Sequence, residues 1–442
     1  MNKPPLTSSA HRPGLSRRRL ILAAGAGGLG LTLAGSRRGW AAGAENVLKV
    51  GFVSPRTGAL AGFGETDGYV LQSARKALAK GLTVGGKTYQ VQILDRDTQS
   101  DPSRASQLAK DLINNDQVDL MLAVSTPEVI NPVSDACELA GVPCLSTVMP
   151  WEAWYFGRGA KPGQPSPFKW TYHFGFGVEE FHKTYVSQWN GPVTTNKKVG
   201  VLYPNDADGN AIRAHLAPLL AKQGFTIVDP GPYEDGTTDY SAQIALFKRE
   251  HCQIFNTFPI PPDFAAFWRQ AAQQGYARMV KICQVAKTGL FPSDIEALGR
   301  LGINMASACY WHKAFPYKSP LTGLSGGELA AGYERTSGKQ WTQQLGASMS
   351  LLDAGFQALK DSSDPRSKDA VVKAIRKLNT TTMIGKVDFT SGPVPNVSAG
   401  PIIGCQWVKA PPGSKFKLDC VVTEHATDPN VPVEARLLPY HV

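Results

Sequence analysis

LKVGFVSPRTGALAGFGETDGYVLQSARKALAK, residues 48–80, changes its hydrophobic period partway along. Leu48–Pro55 is an apolar run that stops at proline, the pattern of a strand covered on both faces. From Gly68 onward Val70, Leu71, Ala74 and Leu78 recur at helical spacing. The unit then repeats. YQVQILDRD alternates as a strand, SRASQLAKDLINN is helical, VDLMLAV is a buried strand, NPVSDACELA is helical and VPCLST is again a strand. Strands separated by helices imply a parallel sheet with right-handed crossovers.

A second series opens at KKVGVLYP (197–204) and continues through FTIVDPGPY, DYSAQIALFKRE, CQIFNTF, DFAAFWRQAAQQG and MVKICQV. The expected fold is therefore α/β, with two doubly wound parallel-sheet lobes. Between the series lies GRGAKPGQPSPFKWTYHFGFG, whose glycines, prolines and aromatics suit a connection between lobes. Helices and a β-rich tail after residue 311 have to complete lobes already begun, so three crossings are expected. The expected division is 45–172 with 317–391 as lobe 1, and 173–316 with 392–442 as lobe 2.

The first 44 residues read differently. GAGGLG at 25–30 matches the glycine fingerprint of dinucleotide sites, but no strand precedes it and no acidic residue occurs before Glu45. Arg17, Arg18 and Arg19 precede an apolar segment, and Ala42-Gly43-Ala44 is a small-residue cleavage site. This is the layout of an export signal, and Ser16-Arg17-Arg18 gives it a twin-arginine form. Residues 1–44 are expected to be removed near Ala44, leaving a periplasmic protein.

These 44 residues carry seven Lys and Arg and no acid, so the net charge of +10 falls to +3 without them. Nucleic-acid binding loses its compositional support. The seven cysteines are scattered, and none of their spacings is that of a zinc site, so no metal is expected. Cys405 and Cys420 flank APPGSK; a turn at Pro411–Ser414 places them directly opposite each other in a hairpin, the one plausible disulfide. The chain shows no H-E-x-x-H, and its histidines do not cluster, which argues against an enzyme.

In their order, several motifs resemble the type I periplasmic solute-binding proteins of ABC transporters, in the leucine/isoleucine/valine-binding family. They are Ser54-Pro55-Arg56-Thr57-Gly58 with Phe63-Gly64 beyond it, Asp95…Asp101-Pro102 before a helix, the strand ending in Ser125-Thr126, Val142-Pro143…Ser146, and later VGVLYPNDADGNA and MIGKVDFTSG. The resemblance implies lobes joined by a three-strand hinge that close on a small solute and hand it to a membrane ABC permease. It implies a monomer, no cofactor and no nucleic-acid partner. A ligand-sensing receptor or regulator of the same fold is the rival reading.

Ligands of open parallel sheets bind beyond the carboxyl ends of strands. Ser125 and Thr126 follow one such strand and Ser146 another, as ligand contacts or as helix caps. Phe63 matches a position that packs on ligand in the family. Amino-acid binders of the family hold the carboxylate with an Ala-Thr pair where this chain has Val148, Met149, Pro150 and Trp151. They hold the ammonium from places that here read Val285 and Asp208, with Lys287 nearby. Trp151 and neighbouring aromatics suit a planar ligand. The expected site is Phe63, Ser125, Thr126, Ser146, Trp151, Asp208 and Lys287. Its solute is a small carboxylate: a branched-chain or other amino acid, or an aromatic acid with Lys287 as counter-charge.

Overall fold

Val47–Ser54 forms the strand expected of it, β1, with Leu48, Val50, Phe52 and Val53 fully buried. The computed structural model describes residues 46–442; the expected export signal lies outside them. In chain order β2 (Leu82–Val84), β3 (Lys87–Asp97), β4 (Leu120–Val124), β5 (Cys144–Thr147) and β6 (Thr171–Gly175) follow. Then come β7 (Lys198–Leu202), β8 (Thr226–Val228), β9 (Ile254–Thr257), β10 (Ile282–Val285) and β11 (Ala306–Cys309). A small antiparallel pair, β12 (Asn379–Thr382) and β13 (Gly385–Asp388), precedes β14 (Val397–Ala399), β15 (Ile403–Lys409) and β16 (Leu418–Glu424).

Two seven-stranded sheets result, ordered β14-β6-β5-β4-β1-β3-β2 and β16-β15-β11-β10-β9-β7-β8. The first is parallel except for the β2–β3 hairpin, and the second is parallel except for β15 and β16. The α/β class with two wound lobes is thus the observed fold. Helices start where local chemistry starts them. Asp101 accepts the backbone N–H of Arg104 at 2.7 Å ahead of Pro102–Asn114, and Ser325 with Glu328 makes a capping box for Gly326–Ser337. Among the described residues no helix is long and apolar enough to cross a membrane.

Three crossings join the sheets, and two of them fall a few residues later than expected. A boundary after residue 172 cuts β6, which pairs with β5 and runs on to Gly175 in the first sheet. A boundary after residue 391 assigns β14 to the wrong lobe, because Val397–Ala399 pairs with His173–Gly175. The physical reason is that both strands are short and hidden among prolines and glycines, where composition points to connection.

The hairpin near the end of the chain also departs from expectation. The Pro411–Ser414 turn forms, with the Ser414 N–H donating to the Pro411 carbonyl at 3.1 Å. Lys409 then pairs with Leu418, so the residues after the turn lengthen one arm and shift the register by two. Cys420 stands opposite Trp407, and Cys405 opposite Val422. Cys405 and Cys420 are diagonal rather than facing, and all seven cysteines are free and buried.

Candidate functional site

The carboxyl ends of β4 and β5 point into the space between the sheets. After β4 the chain turns sharply at Ser125, whose φ of 137° is a conformation that L residues rarely adopt. Thr126 then precedes the helix Pro127–Ala140, yet its hydroxyl makes no capping bond. After β5, Val148 takes φ 95°, an outlier for a β-branched residue. Strain of this kind, of order 1–3 kcal/mol per residue, persists where surrounding structure enforces it, and it clusters at ligand sites.

These residues face a cavity between the two sheets. The first lobe contributes Phe63, Ser125, Thr126, Val148 and Pro150. Opposite them stand Asp208, Phe258, Ala286, Lys287, Leu290 and Tyr310, while Phe176, Phe181 and Ile402 lie on or just beyond the crossings. The aromatic rings pack into a continuous wall. Phe176 stacks on Tyr310 at 5.4 Å and meets Phe181 edge-on at 5.2 Å, and Phe181 meets Phe258 at 5.2 Å. Phe63 touches Phe291 edge-on at 5.1 Å, closing the cavity across the lobes.

Both hydroxyls at the end of β4 are buried and lack a hydrogen-bond partner among the described residues. A buried polar group without a partner costs about 1–3 kcal/mol, so this pair awaits an acceptor or donor. On the other wall the charge is already paired. Lys287 Nζ lies 3.1 Å from Asp206 Oδ2 and 3.0 Å from Asp208 Oδ2, with all three side chains nearly inaccessible. Asp206 is fixed in turn, capping the helix Ala207–Lys222 by accepting the Gly209 N–H at 2.5 Å.

Burial pushes Asp208 up to about 7 against the pull of Lys287, with Asp206 and Glu128 pushing the same way. Burial acts to lower Lys287, but the carboxylates of Asp206, Asp208 and Glu128 outweigh it and hold the ammonium protonated. The two shifts share one interaction. We assign the ion pair to Lys287 and Asp206, and the titrating proton to Asp208, whose Oδ1 is buried without a partner. Lys287 is therefore neutralised from within, and the counter-charge role expected of it has no free cation behind it.

Five of the seven expected residues, Phe63, Ser125, Thr126, Asp208 and Lys287, line this cavity together. Ser146 does not: its hydroxyl lies 2.9 Å from His173 Nδ1 inside the first sheet. His173 Nε2 donates to the Met149 carbonyl at 3.0 Å, and burial pushes the ring down to about 3, so it is neutral and its Nδ1 accepts from Ser146. Nor does Trp151, whose indole packs over Gly177, where a Cβ would collide with it, and beside Phe156 at 5.8 Å. The lining residues absent from the expected set include Phe258 and Tyr310. Each directly follows a strand end in the second sheet, so the carboxyl-end rule that found Ser125 also finds them.

The profile of the periplasmic binding protein family matches residues 47–396. A comparison with curated proteins finds no match. Among solved structures the chain is similar to the leucine-binding protein LivK of Thermotoga maritima, at 17% identity and a TM-score of 0.67, covering 87% of this chain and 99% of that one. It is similar to an ABC-transporter solute-binding protein of Rhodopseudomonas palustris in complex with 3,4-dihydroxybenzoic acid, at 18% identity and a TM-score of 0.68, covering 87% and 99%. It is also similar to the branched-chain amino acid binding protein LivJ of Streptococcus pneumoniae in complex with isoleucine, at 15% identity and a TM-score of 0.63, covering 86% and 99%.

Proposed function

The chain belongs to the periplasmic binding protein family, and on that premise we propose that it is the solute-binding subunit of an ABC importer, with a small hydroxylated aromatic carboxylate as its solute. The observation that carries this reading is the pair of unpartnered buried hydroxyls, Ser125 and Thr126, facing a cavity walled from both lobes. They suit a carboxylate. The rings of Phe63, Phe176, Phe181, Phe258 and Tyr310 suit a flat apolar body. Asp208 Oδ1, at the other wall, suits a hydroxyl at the ligand's far end.

Ligand touches both lobes only when they are shut, so binding favours the closed form by the energy of those added contacts. The closed faces then dock on the permease. The protein acts as a monomer in the periplasm after cleavage near Ala44, without cofactor and without catalysis. Similarity to a structure holding 3,4-dihydroxybenzoic acid supports the aromatic choice. The paired state of Lys287 and the absence of the Ala-Thr carboxylate clamp weigh against simple amino-acid binding.

Thermal shift with a panel of hydroxybenzoates, benzoate, leucine, isoleucine, valine, amides and urea tests the reading. Hydroxybenzoates are expected to raise the melting temperature most. If leucine, isoleucine and valine raise it and the aromatic acids do not, the assignment of solute is wrong.

A further inference from the structure

Three buried thiols converge at the antiparallel edge of the second sheet, none of them among the residues that line the cleft. Cys309 ends β11, Cys405 lies on β15 and Cys420 on β16, and their sulfurs all fall within 4.8 Å of one another. Register explains the convergence. Ser307 pairs with Cys405 and Trp407 with Cys420, so each cysteine sits one diagonal step from the next on the same face. Their spacing along the chain shows no motif, because the cluster exists only through strand adjacency.

A disulfide does not fit this register. Diagonal neighbours stand about 7–8 Å apart at Cα, beyond the usual limit of about 6.8 Å for a bridge. Cys309 and Cys420 are two strands apart, about 9–10 Å. A metal ion fits better, since three sulfurs each at about 2.3 Å from one ion in a plane lie roughly 4 Å apart. We propose that Cys309, Cys405 and Cys420 form a binding site for a single monovalent thiophilic cation, Cu(I).

The coordination number selects the ion. Structural zinc takes four ligands, and among the described residues these three alone converge as metal-ligating groups. Water cannot supply a fourth, because all three thiols are buried. The nearby His312 is already committed: the Ala314 N–H donates to its Nδ1 at 3.1 Å, so its Nε2 carries the proton and donates to the Cys420 carbonyl at 2.8 Å. Soft sulfur ligands with a low coordination number favour Cu(I). Gln343 supplies the outer support, its Nε2–H donating to Cys309 Sγ at 3.2 Å and so drawing charge off the sulfur. Binding releases a proton from each thiol that becomes a thiolate.

Gln343 also accepts the Tyr310 N–H at 3.0 Å, so the sulfur cluster sits one residue behind the cavity wall. The site stands whatever solute the cleft takes.

The test uses the full chain, purified reduced and incubated anaerobically with Cu(I) held by excess bicinchoninate. Native mass spectrometry is expected to show one copper per chain. Cys420→Ser is expected to weaken Cu(I) affinity by about 100-fold or more, beyond the 10–100-fold scale of outer-shell changes. Cys144→Ser, at a cysteine in the other sheet, is expected to leave it unchanged. Should Cys420→Ser fail to fold, a rise in the wild-type melting temperature with Cu(I) supports the site, and no rise overturns it. No copper retained, zinc bound in its place, loss of binding in Cys144→Ser alone, or a purified chain lighter by the two hydrogens of a disulfide would each overturn it as well.

Discussion

The two walls of the cleft are built on opposite principles. The first lobe presents neutral hydroxyls, that of Ser125 on strained backbone and that of Thr126 directly after it, with no partner for either oxygen among the described residues. The second presents a buried ammonium between two carboxylates, its charge answered before any ligand arrives. One wall stores an unmet hydrogen-bonding need, and the other has already answered its charge. The difference teaches that the most charged residue of a cleft need not be the one that grips; the unsatisfied group is the better guide to where a ligand attaches.

The comparison is broken most forcefully from the paired wall. Lys287→Met keeps the stem but leaves Asp206 and Asp208 buried against each other, and is expected to cost about 3–5 kcal/mol of stability, read by urea unfolding without ligand. A cost below about 1 kcal/mol would mean that the pairing is solvated and the wall is not what we describe.

The unpaired wall should behave in the opposite sense. Ser125→Ala or Thr126→Val is expected to weaken solute binding by about 1.5–3 kcal/mol, the worth of a hydrogen bond to a charged group. Calorimetry reads that loss, while the melting temperature of the ligand-free protein should hold or rise. A fall in stability without loss of affinity would make these hydroxyls structural.

Acidity sharpens the contrast. Asp208 binds its proton more tightly folded than unfolded, so its contribution to stability is full below about 4 and is lost as pH rises toward 7. Above that point the second wall carries an extra negative charge, and affinity for a carboxylate should drop by on the order of 1 kcal/mol between pH 6 and 8. Asp208→Asn is expected to flatten both dependences; an unaltered pH profile of binding would place the titration elsewhere. The smallest effect concerns strain alone. Ser125→Gly should stabilise the ligand-free chain by up to about 1 kcal/mol through relief at φ 137° while still weakening binding.

Much of this was legible before any coordinate. Period changes at Pro55 and Gly68 announce a strand feeding a helix, and the repetition of that unit announces the sheets. The strand-end rule led to Ser125 and Thr126 because a parallel sheet leaves few other places for a ligand. It misplaced Ser146, since a serine at a strand end can face either the gap or the neighbouring strand, and only register with His173 decides. Trp151 departs from expectation for a related reason: a large ring near a cleft goes where a glycine makes room, and Gly177 lies 26 residues away. Phe176, Phe181 and Ile402 are illegible because they lie on or just beyond crossings, whose path depends on how both lobes are completed.

The late arrival of β14 beside β6 bears on how the molecule is made. The outer edge of Thr171–Gly175 has no neighbour until Val397–Ala399 has been synthesised, more than two hundred residues afterwards. Until then a nascent chain displays a bare row of amide and carbonyl groups, a template to which another copy could add. A ribosome stalled, or a gene cut, anywhere between those points should therefore yield sticky, aggregating fragments rather than a free-standing half.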